Sequence, residues 1–379
     1  MAGAETLTTP HPVDQPDPSM VQILSPDGVR KDSPEYPIDL DADQLREALE
    51  RMVMARRLDV EGTNLQRHGE LGLWPPLLGQ EATQAGAMLA IGPNDQLFPT
   101  YREQALAHWK GVSIADILAT WRGSAICPWD TVATHCSAYP VMIGSSALHG
   151  VGYAMGIQRD GMTGHDDPDV DAAALLFHGD GAMSEGDVSE SYVFAAATGA
   201  PIVFCCVNNQ YAISERTTVS ARTSLFRRAA GFGLRSVQVD GNDAIAVAAV
   251  LRDSLRRARN GEGPTFVEAW TYRMGAHTTT DDPTRYRTKD EEQAWAALDP
   301  IERMRTHLLN EGLIDDEWLA ALDARADAFG ASVRAAIDDI PEPDLVEELG
   351  RVYVDPTPDI RREQQELAEW LALDPEEAN

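Results

Sequence analysis

The chain has 379 residues with 43% hydrophobic content, enough to bury one large α/β core or two modest ones. Its formal net charge of −30 and pI near 4.5 exclude a non-specific nucleic-acid role, because phosphate backbones reward clustered Lys and Arg. No run of about eighteen uninterrupted apolar residues exists, and the amino terminus is Pro- and Asp-rich instead of basic then apolar, so the expectation is a soluble, cytoplasmic protein with no membrane attachment.

Residues 1–38 hold Pro10, Pro12, Pro16, Pro18, Pro26, Pro34 and Pro37 among polar residues, a composition that cannot repay backbone ordering through burial. This predicts an arm that stays flexible until it meets a partner. A helical pattern begins near Asp41-Ala42-Asp43, with Leu45, Leu49, Met52 and Val53 on one face, and residues 80–90 form a second helix rich in small side chains. Cys127 and Cys136 fall in a loop region and Cys205 and Cys206 inside an apolar run; without paired zinc spacing they read as structural.

From residue 172 the pattern alternates strand and helix. Residues 172–177 and 201–207 are continuous apolar runs, the kind parallel strands need when helices cover both faces. Between them lies a helix over about 186–198, and afterwards come a strand at 236–239, a helix to about Asn260 and a strand at 265–272. That order predicts an α/β fold with a doubly wound, mostly parallel sheet. After Asp299-Pro300 the chain reads as helices dense in Ala, Leu, Asp and Glu, broken by Pro341 and Pro343, and no internal repeat is found.

In doubly wound sheets ligands bind outside the carboxyl ends of the strands. His178-Gly179-Asp180-Gly181-Ala182 follows the first apolar run and Asn208-Asn209-Gln210-Tyr211 follows the second, so the Asp and Asn side chains should converge with the segment Arg273 to His277. Asp180 alone could be a turn residue. Paired with an Asn amide oxygen it becomes a magnesium site, since magnesium takes a few protein oxygens and completes its octahedron with phosphate and water. Gly181 and Ala182 would let the backbone approach a diphosphate. His178 reads as structural.

Gly-Asp-Gly followed after about 26 residues by Asn-Asn resembles the thiamine diphosphate signature. The flanking Ser184-Glu185-Gly186-Asp187 and Tyr211-Ala212-Ile213-Ser214 resemble one branch, the alpha subunit of the decarboxylating component of 2-oxo acid dehydrogenase complexes. Gly79-Gln80-Glu81-Ala82, Phe98 to Glu103 and Thr271 to Thr278 match it too.

The resemblance implies thiamine diphosphate and Mg2+ as cofactors, with Asp180, Asn209 and the Tyr211 carbonyl on the metal. It implies cofactor contacts at Tyr101, Arg102, Gly179, Gly181, Ala182, Glu185, Ile213, Arg273 and His277, while Ser146 and Leu148 match positions beneath the aminopyrimidine and the bent cofactor. Glu185 would either orient donors or cap its own helix, and packing alone could account for Leu148. His277 matches the catalytic histidine, able to stabilise the substrate carboxylate or donate a proton near neutral pH. Thr278 stands where animal relatives carry a phosphorylated hydroxyl.

Composition and pattern divide the chain into an arm over 1–38, an α/β domain over 39–310, which the resemblance makes thiamine diphosphate-binding, and a helical extension over 311–379. The glutamate that activates the aminopyrimidine belongs to a second module, so a beta subunit, an α2β2 assembly and a lipoyl-bearing acyltransferase component are implied as partners, with a 2-oxo acid as substrate. Residues 64–69 resemble branched-chain members while His277 to Arg287 resembles bacterial pyruvate members too, the balance favouring branched-chain acids over pyruvate or acetoin. Val207 replaces an arginine beside the Asn pair, and His149-Gly150 replaces a Thr-Gln pair tied to potassium, so no potassium site is expected. A nicotinamide dehydrogenase fits poorly because Ser184 takes the third glycine place of the dinucleotide fingerprint. A non-catalytic interaction protein keeping this fold is the other alternative.

Overall fold

The computed structural model describes residues 15–373. Its centre is a five-stranded parallel sheet built from β1 (Gln96–Phe98), β2 (Ala174–Gly179), β3 (Ile202–Asn208), β6 (Arg235–Asp240) and β7 (Thr265–Trp270), in the order β1-β2-β3-β7-β6. The two remaining strands, β4 (Tyr211–Ala212) and β5 (Glu215–Arg216), form a small antiparallel hairpin just after β3. The doubly wound parallel sheet expected from the apolar runs is present, with strand ends within two residues of the expected positions at all four strands read from sequence.

The two core layers are separated by side-chain alternation. Leu175 and Phe177 of β2 and Val203, Cys205 and Val207 of β3 enter one layer, with helices Ala42–Arg67, Glu81–Ala90 and Ala244–Arg259. Leu176 of β2 and Ile202, Phe204 and Cys206 of β3 enter the other, with helices Ser146–Arg159 and Gly186–Thr198. Both strand faces are therefore buried, which is why neither strand alternates polar with apolar residues. The small residues of Glu81–Ala90 have a packing cause: a Cβ on Gly86 would sit 2.7 Å from the Ala244 carbonyl, so the two helices meet backbone to backbone.

Register brings the chemistry-bearing turns to one edge. Gly179 pairs with Val207, and Asn208 with Trp270, so β2, β3 and β7 all end at the same level. Asp180, Asn209 and the chain leading to Arg273 leave from that level.

The flexible arm expected over residues 1–38 needs correcting for its described part, residues 1–14 lying outside it. Val21 pairs in parallel with Val239 on the free edge of β6, its amide donating to the Gln238 carbonyl at 2.9 Å. The amides of Ile23 and Leu24 donate to Asp243 Oδ2 at 2.7 and 2.5 Å, and both side chains are fully buried. Burying each contributes about 1.5–3 kcal/mol, and the sheet edge supplies backbone partners that a composition count does not register. Leu24→Ala is expected to lower stability by about 2–4 kcal/mol, read as a shifted urea midpoint with unchanged slope.

The carboxyl-terminal region is helical as expected. Its helix Asp316–Ala335 joins the main core through Leu322 and Val333 and lies along Ala42–Arg67, with Arg325 Nε 2.9 Å from Glu50. Helices Leu345–Gly350 and Pro358–Leu371 bury no residue and pack on each other. No helix among the described residues is long and apolar enough to cross a membrane.

Candidate active site

A cavity of about 250 Å³ opens at the carboxyl edge of the sheet, lined by residues from the turns that follow β1, β2, β3 and β7. Tyr101, Arg102, Ser146, Gly179, Asp180, Gly181, Ala182, Glu185, Asn209, Tyr211, Ile213, Arg273 and His277 all line it. Leu148 does not; it is half-buried on helix Ser146–Arg159, away from the lining. The phrase 64–69, at the end of helix Ala42–Arg67, is also outside, so it makes no contact in this cavity.

Asp180 is 3% exposed and takes a 2.7 Å hydrogen bond from the Thr217 hydroxyl. Burial raises its pKa above the usual carboxylate value, against the pull of Thr217 and Arg273. Such a carboxylate is undersupplied with positive charge, the condition a divalent cation relieves. Asn209 is braced from its own turn, its Oδ1 accepting from the Tyr211 amide at 3.3 Å. Asn208 turns the other way, donating to Glu268 at 2.7 Å, so the adjacent asparagines divide into one for the cavity and one for the core.

The turn carrying these groups is strained. Gln210 and Ile213 hold φ of +73° and +57°, left-handed values that cost a side-chain-bearing residue about 1–2 kcal/mol each. Gln210 is held by bonds from Nε2 to the Asn208 and Thr271 carbonyls, both 3.3 Å. Ile213 is held by Arg273, whose Nη2 donates to its carbonyl at 2.6 Å while Nη1 donates to the Tyr211 carbonyl at 3.0 Å. The Tyr211 carbonyl thus keeps one lone pair for a cation. Close approach matters at Gly181, where a Cβ would lie 2.7 Å from the Ala212 side chain.

A cationic wall runs from this turn to His277. Arg102 Nη2 lies 3.3 Å from His277 Nδ1 and Arg273 Nη1 lies 3.4 Å from the same atom. Arg102 also donates to the carbonyls of Pro76 and His277, and Tyr101 packs edge-on to the His277 ring. Burial first, then the two guanidinium groups, pull the His277 pKa down to about 3, with Asp281 opposing. His277 is therefore a neutral imidazole at physiological pH. Two donors at Nδ1 leave its proton on Nε2, which makes it a hydrogen-bond donor and not a proton reservoir.

The loops are tied from behind. Asp59, buried on helix Ala42–Arg67 and pushed up to about 6 by burial, accepts from Trp74 Nε1, Leu77 N and Leu78 N at 2.8, 3.0 and 3.2 Å. Leu78 and Trp74 in turn accept through their carbonyls from Met274 and Thr279 at 3.0 and 2.9 Å. His178 is structural as read, its Nε2 2.9 Å from the Tyr192 hydroxyl and its pKa lowered to about 4 by burial. Glu185 makes no side-chain cap for its own helix among the described residues, so self-capping is not its role.

Sequence reasoning missed Thr217, Gln80, Thr100, Glu103, Met142 and Ile143. Thr217 reaches Asp180 from 37 residues away with no spacing signature. Glu103 is consumed locally, accepting from the Thr100 amide at 2.8 Å. Gln80 lay inside a phrase already noted, but nothing marked it as facing the cavity.

Fold and site together define an α/β subunit with a cavity at its sheet edge that brings a buried carboxylate and an asparagine together with two arginines and a neutral histidine. The family model described as dehydrogenase E1 component matches residues 49–342. The 3-methyl-2-oxobutanoate dehydrogenase subunit alpha of Mycobacterium tuberculosis (strain ATCC 25618 / H37Rv) is 41% identical over 353 residues, covering 93% of this chain and 94% of the relative. Pyruvate dehydrogenase E1 component subunit alpha of Staphylococcus aureus (strain Mu50 / ATCC 700699) is 36% identical over 352 residues, 92% of each chain. The chain belongs to the dehydrogenase E1 component family, as the alpha subunit of a 2-oxo acid dehydrogenase.

Proposed function

We propose that this subunit, joined to a beta subunit in an α2β2 assembly, holds thiamine diphosphate and Mg2+ and decarboxylates a branched-chain 2-oxo acid, the acyl group passing to the lipoyl group of an acyltransferase component. The observation that carries this reading is the convergence of Asp180, Asn209 and the Tyr211 carbonyl on one cavity with Arg102, Arg273 and His277. The donor set fits the cofactor: a carboxylate, an amide oxygen and a carbonyl for magnesium, with the guanidinium groups of Arg102 and Arg273 lining the same cavity for a diphosphate. Arg273 Nε is buried without a partner among the described residues, as is Gln80 Nε2, so the cavity holds more donors than this chain satisfies.

Thiamine diphosphate, when bound, would supply the electron sink that takes the bonding electrons as carbon dioxide leaves. The chain's own part is to neutralise diphosphate charge with Arg102 and Arg273, to place the metal through Asp180 and Asn209, and to present the His277 Nε2 proton to an anionic oxygen. Met142, Ile143 and Ile213 line the cavity yet are 74%, 45% and 57% exposed, an apolar mouth that supports both an aliphatic acyl chain and cover by a partner. Beyond it Tyr153, Val193 and Phe194 stand exposed on two packed helices, where Gly152 and Gly156 leave open space above the backbone, a surface suited to close helix packing by the beta subunit. Four free cysteines agree with a reducing, cytoplasmic setting.

The test is co-expression with a candidate beta subunit and assay of several 2-oxo acids with an artificial electron acceptor. Branched-chain acids are expected to show the highest kcat/KM, and pyruvate ahead of them would reassign the substrate. An assembled, cofactor-loaded complex that turns over no 2-oxo acid would refute the decarboxylase reading.

A further inference from the structure

Helix Glu81–Ala90 begins at Gln80, which gives it no side-chain cap. Helix starts favour Ser, Thr, Asp and Asn, whose short side chains fold back onto the first turn, and glutamine belongs to none of these. The Gln80 side chain instead reaches the cavity: the residue is 2% exposed, lines the wall, and its Nε2 has no hydrogen-bond partner among the described residues. A buried amide N–H without an acceptor is a free-energy cost that a ligand's acceptor removes.

The surroundings define that acceptor. The backbone that delivers Gln80 is tied to the end of β3 from which the Asp180-facing turn leaves, Thr271 donating from Oγ1 to the Gly79 carbonyl at 3.0 Å and from its amide to the Asn208 carbonyl at 2.9 Å. Arg102 and Arg273 line the same cavity, and the start of the ten-residue helix adds partial positive charge. Glu81 does not cancel this field, since Oε1 pairs with Arg56 at 2.8 Å and Oε2 accepts from the Gly79 amide at 2.9 Å. Val207, also on the wall, contributes an apolar side chain and no donor. The unpartnered donors here, Gln80 Nε2 and Arg273 Nε, ask for an acceptor, and an anion held through a cation on Asp180 would supply it.

We propose that Gln80 is a cofactor-binding residue whose amide N–H donates to a diphosphate oxygen, the uncharged member of a donor set completed by Arg102 and Arg273. This rests on the thiamine diphosphate reading above. Gln80→Met removes the donor at nearly constant length, and the chain is used as the complex with its beta subunit. Isothermal titration with magnesium thiamine diphosphate and, separately, magnesium pyrophosphate should show both dissociation constants rising together by about tenfold or more. The ligand-free complex should melt no lower than wild type, because an unsatisfied donor has been removed; a residue with a purely structural role would melt lower.

Unchanged pyrophosphate affinity overturns the proposal, as does a raised KM for the 2-oxo acid with unchanged cofactor affinity, which would give the amide to the substrate carboxylate. A wild-type complex that binds pyrophosphate but not thiamine diphosphate sinks the parent reading alone, provided the Gln80→Met complex still binds pyrophosphate more weakly.

Discussion

Asp180→Asn in the assembled complex should raise the dissociation constant for thiamine diphosphate at fixed magnesium by more than about a hundredfold, while the ligand-free complex becomes no less stable. The two effects have opposite signs for one reason. Asp180 is buried, its carboxyl is pushed up by burial, and the protein offers it the Thr217 hydroxyl and a more distant Arg273. An asparagine keeps the shape and the Thr217 bond and costs less to bury, but withdraws the charge that magnesium needs. Calorimetry and a melting curve read the two quantities separately. Cofactor affinity within about threefold of wild type would show that the metal is held elsewhere or not at all.

His277→Ala should lower kcat by about a hundredfold to ten-thousandfold while the complex still takes up cofactor, since Arg102 and Arg273 remain in place. The pH dependence sharpens this. With its pKa held at about 3, His277 is neutral throughout the working range and would gain a proton, and lose its acceptor role at Nδ1, only as pH falls toward that value. Its removal should therefore lower the whole kcat profile between about pH 5.5 and 8.5 without moving the acid limb. A limb that disappears in the variant would mean that His277 titrates as an acid or base in the complex, and full activity would favour the non-catalytic interaction protein.

Much of the fold was legible locally. The apolar runs of β2 and β3 marked buried parallel strands because helices cover both faces, and the spacing of Leu45, Leu49, Met52 and Val53 marked the first long helix, which the structure opens with a capping box of Asp41 and Gln44. The short edge strand β1 and the helix Ser146–Arg159 were not read, the first because three residues carry no periodicity and the second because its glycines hide its pattern. The arm was misread because proline content speaks of the chain's own stiffness and polarity. It says nothing of a sheet edge that offers Val21, Ile23 and Leu24 both hydrogen bonds and a dry surface.

Within the site, residue type and spacing alone singled out Asp180 and the Asn208-Asn209 pair, because they follow strands whose ends the parallel register must align, and resemblance chose Asn209 of the two. Resemblance added Arg102 and His277, residues 175 positions apart that no local pattern links. The tertiary structure decided the rest: that Asn208 faces the core and Asn209 the cavity, that Thr217 serves Asp180, that Leu148 falls outside the lining, and that Gln80 keeps an unspent donor in the cavity wall. Those outcomes depend on where separate segments meet and on which polar groups find partners after burial. The chemical identity of a side chain is written in the sequence, whereas its remaining hydrogen-bonding capacity exists only once the neighbours are in place.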